Sequence, residues 1–315
     1  MKVFKFGGAS VNSIERIQNL AGIIKLYEGD NLMIIISAMG KTTNALEKVV
    51  EAFFAERQQD ALQLFEGIKK QHLTTAKYLL VTHFNSCIEQ LSGFFTEVEW
   101  LLHDKPVRAY DYYYDQVVCI GELLSTCILS HYLNEIGIAN KWVDVRDIIR
   151  TDDNFRDANI DWDYSAKKVL QLKEACFNEK SAPGGICITQ GFIGSTDENE
   201  STTLGREGSD YTAAIFANLL DAESQTIWKD VEAVMSADPK QFPDAQVIHE
   251  LSFDEVIEMA YYGAQVIHPK TIKPLQNKGI PLQVKCFLDA SLPGTVIHNR
   301  PVHNLPPVIV LKEKQ

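Results

Sequence analysis

Short runs of β-branched and aromatic residues recur along this 315-residue chain, and stretches of helical periodicity fill the gaps between them. Lys2–Phe6, 32–37, 138–143, 185–190, 225–229 and Leu282–Cys286 read as strands, while 13–27, 44–56, 122–136 and 213–220 read as helices. Strands separated by helices pair in parallel, because the helix carries the chain back to the starting edge of the sheet. The alternation predicts an α/β fold with a mostly parallel central sheet and helices on both faces. Ligands of such sheets bind beyond the carboxyl ends of the strands, where residues 5–8, 37–43 and 190–194 fall. Residues 61–115 read as a mainly helical insertion, and no internal repeat is visible.

Residues 183–230 run strand, glycine-punctuated polar loop, helix, strand. Within them LGREGSDYTAA sets Arg206, Ser209 and Asp210 among Gly205 and Gly208, just ahead of a helix expected over 211–220. Glycines let the backbone approach a ligand, a helix start offers unpaired N–H groups to an anion, and arginine adds a fixed fork of donors. This is a site for phosphate or carboxylate. At the N-terminus Lys5 precedes Gly7-Gly8 and Ser10, with a helix beginning near Asn12, so the backbone there can face a phosphate chain. Each piece also has an ordinary reading. A strand-end lysine is commonly solvated, Ser37, Thr43 or Asp210 can simply cap a helix, and Glu122 at a helix start is a favourable dipole partner.

The chain carries 42 acidic against 30 basic residues, net charge −12, with no basic block. Nucleic acid, which needs clustered Lys and Arg, is therefore not an expected partner. Six cysteines form no CxxC pair, so free buried thiols are expected and no protein-held metal. His83, His103 and His131 read as surface or core residues, and His268-Pro269 as a packing motif. Neither a signal segment nor an apolar run of spanning length is read, which gives a cytoplasmic expectation and no membrane partner. The strand–SAMGKTT–helix segment ends like a Walker A loop, but position 35, where its first glycine belongs, is isoleucine.

KFGGAS (5–10), SAMGKTTNAL (37–46), GELLS (121–125), QGFIGS (190–195), TTLGREGSDYTAA (202–214), WKDVEAVMSADPK (228–240) and EMAYYGAQVIHPKT (258–271) occur in this order. Together they resemble the aspartokinase branch of the amino-acid kinase family. The resemblance implies a catalytic domain over 1–300, with an aspartate-binding lobe to about 220, a nucleotide-binding lobe to 300, and a tail at 301–315 leading toward an absent ACT domain. It implies transfer of the ATP γ-phosphoryl group to the β-carboxylate of L-aspartate, the first step of lysine, threonine and methionine synthesis. Mg2+ would arrive on ATP, and a homodimer would be weakened without ACT domains. Lys5 and Asp210 take the catalytic roles. Ser37, Thr43, Glu122, Phe192, Arg206 and Ser209 take aspartate, with Glu122 on its α-ammonium and Arg206 on its α-carboxylate. Lys5, Gly7, Gly8, Ser10, Lys229, Asp230, Met235, Lys240 and Gln265 take ATP. Lys229, Met235, Lys240, Gln265 and Ala9 depart from the residues usual in the branch, and the alternative they raise is a silent, ligand-sensing relative or a kinase of another small carboxylate.

Overall fold

The computed structural model describes residues 1–177, 184–238, 241–264, 267–302 and 305–310. The described strands are β1 (Lys2–Phe6), β2 (Leu32–Ile36), β3 (Lys141–Trp142), β4 (Ile186–Gln190), β5 (Ile193–Ser195), β6 (Ser201–Thr203), β7 (Ser224–Lys229), β8 (Val234–Met235), β9 (Val247–Ile248), β10 (Glu250–Ser252), β11 (Leu282–Cys286) and β12 (Thr295–His298). The described helices are α1 (Ile14–Lys25), α2 (Thr42–Phe54), α3 (Gln58–Leu79), α4 (Phe84–His103), α5 (Tyr110–Val118), α6 (Ile120–Glu135), α7 (Trp162–Cys176), α8 (Gly208–Leu219), α9 (Phe253–Tyr261) and α10 (Pro269–Lys278).

One sheet runs in the order β10-β12-β11-β7-β1-β2-β4-β3, and only the β11–β12 pair is antiparallel. A parallel sheet is covered on both faces and so reads as continuous apolar sequence. β2, LMIII, is buried at all five positions. Against β1 and β7 an aromatic cluster fills one face, where Phe6 and Trp228 stack with centroids 5.9 Å apart and Phe287 meets Phe6 edge-on. The strands before residue 220 make up one half of the sheet and those after it the other, and β1 and β7 join the halves directly. The expected α/β architecture is present.

The insertion over 61–115 is helical, formed by most of α3 together with α4 and the start of α5, and Phe65 and Phe95 pack edge-on between α3 and α4. One expectation is corrected. Tyr110–Glu135 is long and apolar enough to cross a membrane, but 89% of its most apolar stretch is buried inside the fold, so its composition serves the core. The strand expected over 138–143 contracts to Lys141–Trp142, because Ile138 N–H closes the end of α6 on the Leu133 carbonyl and Asn140 bonds back to Ser130 and Asn134. β5, β6, β8 and β9 are two or three residues each and too short to show a period.

After β1 the chain enters a 3-10 turn at Gly8–Val11 before α1, whose Ser13 cap accepts from Arg16 N–H. A Cβ on Gly8 would lie 2.5 Å from the Ala38 carbonyl oxygen and 3.0 Å from that of Gly40, so the two loops touch backbone to backbone. Gly8→Ala is expected to lower unfolding free energy by about 1–3 kcal/mol, the usual range for an overpacked site. Urea denaturation checks this, and an unchanged midpoint would show that the loops can part freely.

Candidate active site

Lys5 is the fourth residue of β1, and its Nζ lies 2.7 Å from Asp210 Oδ1 with both side chains nearly buried. The approach is off the hydrogen-bond direction, so charge holds the pair, and Asp210 Oδ1 has no hydrogen-bond donor among the described residues. Asp210 stands in the first turn of α8, which begins at Gly208, three residues earlier than the sequence suggests. It is therefore a helical residue and not the cap. The cap position belongs to Glu207, held in the left-handed region at φ 53°. Phe192 is another non-glycine in that region, at φ 73°. Its ring packs so closely on α8 that a Cβ on Gly208 would come within 2.7 Å of it. Non-glycine residues in this region cost on the order of 1–3 kcal/mol and cluster at ligand sites.

Glu122 lies in the first turn of α6, 2% exposed. Its Oε1 accepts from Ala38 N–H at 3.1 Å, whereas Oε2 is buried with no partner among the described residues. Burial pushes the carboxyl up to about 8, against the opposing pulls of the Ala38 N–H and the Lys5 charge. An unpaired buried carboxylate oxygen facing a cleft calls for a cationic ligand group.

A cleft of about 450 Å3 gathers Lys5, Ser37, Thr43, Glu122, Phe192, Arg206, Ser209 and Asp210, every residue expected at the catalytic centre and aspartate pocket. Gly8 lines it too. Arg206 is exposed there and makes no hydrogen bond or ion pair to any described residue. Beside it a larger cleft of about 1290 Å3 has a mostly apolar wall that includes Met235, Phe242, Ile257, Met259, Val308 and Ile309. Arg206 and Glu207 line both clefts. Lys229 ends β7 in the larger one. Burial draws its ammonium below the usual lysine range, with Asp210 and Glu207 opposing that shift and Lys5 adding to it.

Other expected nucleotide residues are placed differently. Gly7 and Ser10 line neither cleft, and Ser10 is buried in the 3-10 turn with its N–H on the Gly7 carbonyl. Asp230 points away to an ion pair with Arg16. Lys240 and Gln265 lie outside the described residues. His268, read as packing, lines the larger cleft, caps α10 by accepting from Lys270 N–H, and donates its own N–H to Glu207 Oε2 at 3.1 Å.

Tyr114, Arg156, Thr203 and Glu207 also line the cleft, and the sequence reading gave none of them a role. Two of them, Arg156 and Thr203, are held by Asp115, a fully buried carboxylate that accepts from Arg156 N–H at 3.0 Å and from Thr203 N–H and Oγ1–H at 2.8 Å each. Arg156, at φ 72°, lays its guanidinium 4.4 Å from the Tyr114 ring centre and pairs with Asp111 at 3.2 Å. The available signal was the second aspartate of an aromatic helical run, YDYYYDQ, where a charged residue facing the core needs several donors. Burial raises this carboxyl to about 6 despite those donors.

A polar cleft at the carboxyl ends of parallel strands, with lysine, arginine and a helix N-terminus converging, defines an anion-binding α/β site. The chain belongs to the amino acid kinase family, whose profile matches residues 1–286. It is similar to the chloroplastic bifunctional aspartokinase/homoserine dehydrogenase 1 of Zea mays, at 34% identity over 308 residues, 96% of this chain and 32% of the maize protein. Chloroplastic aspartokinase 2 of Arabidopsis thaliana is 35% identical over 302 residues, covering 94% and 54%. Among solved structures, E. coli aspartokinase III in complex with lysine and aspartate superposes with a TM-score of 0.85 at 32% identity, covering 96% of this chain and 66% of that one. The same enzyme with aspartate and ADP gives 0.84 at 32% identity, covering 96% and 65%. The chain thus spans from 32% to 66% of the length of these relatives.

Asp115→Ala would strand three donors in the interior, each costing about 1–3 kcal/mol when left unpaired. A loss of about 3 kcal/mol or more of unfolding free energy is expected in urea melts. A change below about 0.5 kcal/mol would mean that the Arg156 and Thr203 segments are held by other contacts.

Proposed function

We propose that this protein is an aspartate kinase, transferring the γ-phosphoryl group of ATP to the β-carboxylate of L-aspartate. The observation that carries this reading is the buried, half-satisfied Glu122 carboxylate in the same cleft as the unpaired Arg206 and the Lys5–Asp210 couple. One anion and one cation at separate points of a small cleft suit the α-ammonium and α-carboxylate of an amino acid. Held at both, the substrate presents its side-chain carboxylate to the third group, Lys5. The relatives named as aspartokinases, and the E. coli complex described with aspartate and ADP, support the same assignment.

In the reaction a β-carboxylate oxygen forms a bond to the γ-phosphorus while the bond from that phosphorus to the β,γ-bridging oxygen breaks, giving 4-phospho-L-aspartate and ADP. Little covalent work falls to the protein, so positioning and charge cancellation dominate. Lys5, fixed by Asp210 before substrate arrives, faces the charge that builds on the transferring oxygens. Arg206 and Glu207, at the junction of the two clefts, stand where acceptor and nucleotide meet, and Lys229 adds a second cation on the nucleotide side. The apolar wall of the larger cleft suits a nucleobase. Mg2+ would accompany the nucleotide and neutralise phosphate charge. The carboxylates of Asp210 and Glu207, both lining the smaller cleft, fit it as hard oxygen donors.

Trapping the acyl phosphate with hydroxylamine across aspartate, glutamate and acetylglutamate, with ADP release followed for these and for UMP, tests the reading. Hydroxamate formed only with aspartate is expected, and no ADP release with any acceptor would overturn it in favour of a silent relative. Lys5→Ala should lower kcat by about 10²–10³, corresponding to about 3–4 kcal/mol of lost transition-state contact, with far less change in aspartate KM. A near-normal kcat would remove Lys5 from the mechanism. Arg206→Ala should raise KM for aspartate and also lower kcat, because a loosely held substrate misplaces the reacting carboxylate. If steady-state kinetics leave both constants unchanged, the pocket assignment fails.

A further inference from the structure

The amino end of α4 packs against the carboxyl end of α6, tied there by Thr82 and His83 N–H groups donating to the Glu135 carboxylate at 3.1 and 2.8 Å. At this crossing each helix offers a histidine and a cysteine four residues apart, His83 with Cys87 and Cys127 with His131. Positions four apart share one helix face, so the two pairs confront each other in opposite order. Ligand atoms of Cys87, Cys127 and His131 lie within 4.8 Å of one another, and Cys127 Sγ is 3.8 Å from His131 Nδ1. The His83 ring centre is 6.4 Å from that of His131. Both sulfurs are fully buried, whereas both imidazoles reach the surface in part and form an entry side.

We propose that Cys87, Cys127 and His131 form a binding site for zinc, with His83 supplying the fourth ligand after a side-chain rotation. Bonds of about 2.3 Å to sulfur and about 2.0 Å to nitrogen put the ligand atoms of tetrahedral zinc roughly 3.5–3.8 Å apart. Cys127 Sγ and His131 Nδ1 are at that spacing already, and all three ligand atoms lie within 4.8 Å of one another. Thiolate and imidazole select soft or borderline ions over Mg2+ and Ca2+. On binding, each thiol releases its proton to solvent as its sulfur–zinc bond forms, so two thiolates and one divalent ion leave no net charge in an apolar interior. His131 must give up the contact of Nδ1 with the Cys127 carbonyl, now 2.9 Å, or turn to present Nε2. The zinc would staple α4 to α6, and α6 carries Glu122 into the cleft five residues before Cys127.

The site reverses the expectation from spacing alone, because its two pairs are 40 residues apart in sequence and only the helix crossing unites them. Its test uses the whole chain, reduced and purified without chelator. Co2+ titration should produce the thiolate-to-cobalt absorption of a tetrahedral site, saturating at one equivalent and bleached by one equivalent of Zn2+. That absorption should vanish in Cys87→Ser/Cys127→Ser, a variant whose fold is checked by circular dichroism. His131→Ala should weaken binding at least tenfold, and Zn2+ should raise the Tm of the parent chain above that of the double variant. The proposal is overturned if the reduced parent chain gives no cobalt–thiolate absorption, if Zn2+ shifts both proteins equally, or if the thiols disappear into a Cys87–Cys127 disulfide without metal uptake.

Discussion

Lys5 and Asp210 meet at 2.7 Å where the two halves of the sheet join, and the arrangement of the cleft follows from that pair. β1 is an inner strand flanked in parallel by β2 and β7, so the loops leaving all three open on one side. The lysine at its carboxyl end is therefore surrounded by Ser37 from the loop after β2 and Lys229 from β7. Asp210 fixes the ammonium from across the start of α8, so the charge is in place before any ligand enters. The close backbone approach at Gly8 and the packing of Phe192 on Gly208 hold the same loops in register.

Burial acts on two groups of opposite sign in the adjoining clefts. It raises the Glu122 carboxyl and lowers the Lys229 ammonium, so each is biased toward its neutral form. An α-ammonium beside Glu122 and a phosphate beside Lys229, as proposed, would oppose both shifts. Perturbed groups are characteristic of ligand sites, and the proposed function matches them to an amino acid on one side and a nucleotide on the other. Asp115 supports the smaller cleft from behind through Arg156 and Thr203, and its own carboxylate is desolvated there.

Much of this was legible in residue order. The apolar run LMIII and its counterparts announced a parallel sheet, and the glycine-framed LGREGSD and KFGG marked the strand ends where the cleft lies. What escaped had no local signal. Hairpins of two or three residues show no period, and the 3-10 turn after β1 looks like the start of a helix. Asp230 has the right position in its motif but is drawn away by Arg16, a partner 214 residues distant in sequence. Arg156, in a turn, depends on a carboxylate from α5, 41 residues away in sequence. The two histidine–cysteine pairs on α4 and α6 are ordinary in isolation and become a cluster only where the helices cross.

The central claim is that Glu122 awaits the α-ammonium of the substrate. Free Glu122, raised to about 8, is mostly protonated at pH 7 and must ionise when a cation binds beside it. Calorimetric titration of aspartate at pH 7, in buffers of different ionisation enthalpy, measures that proton directly. Release of nearly one proton per aspartate by the parent chain, and none by Glu122→Gln, is the expected result. Aspartate binding with no proton release, or the same release in both proteins, would contradict the account.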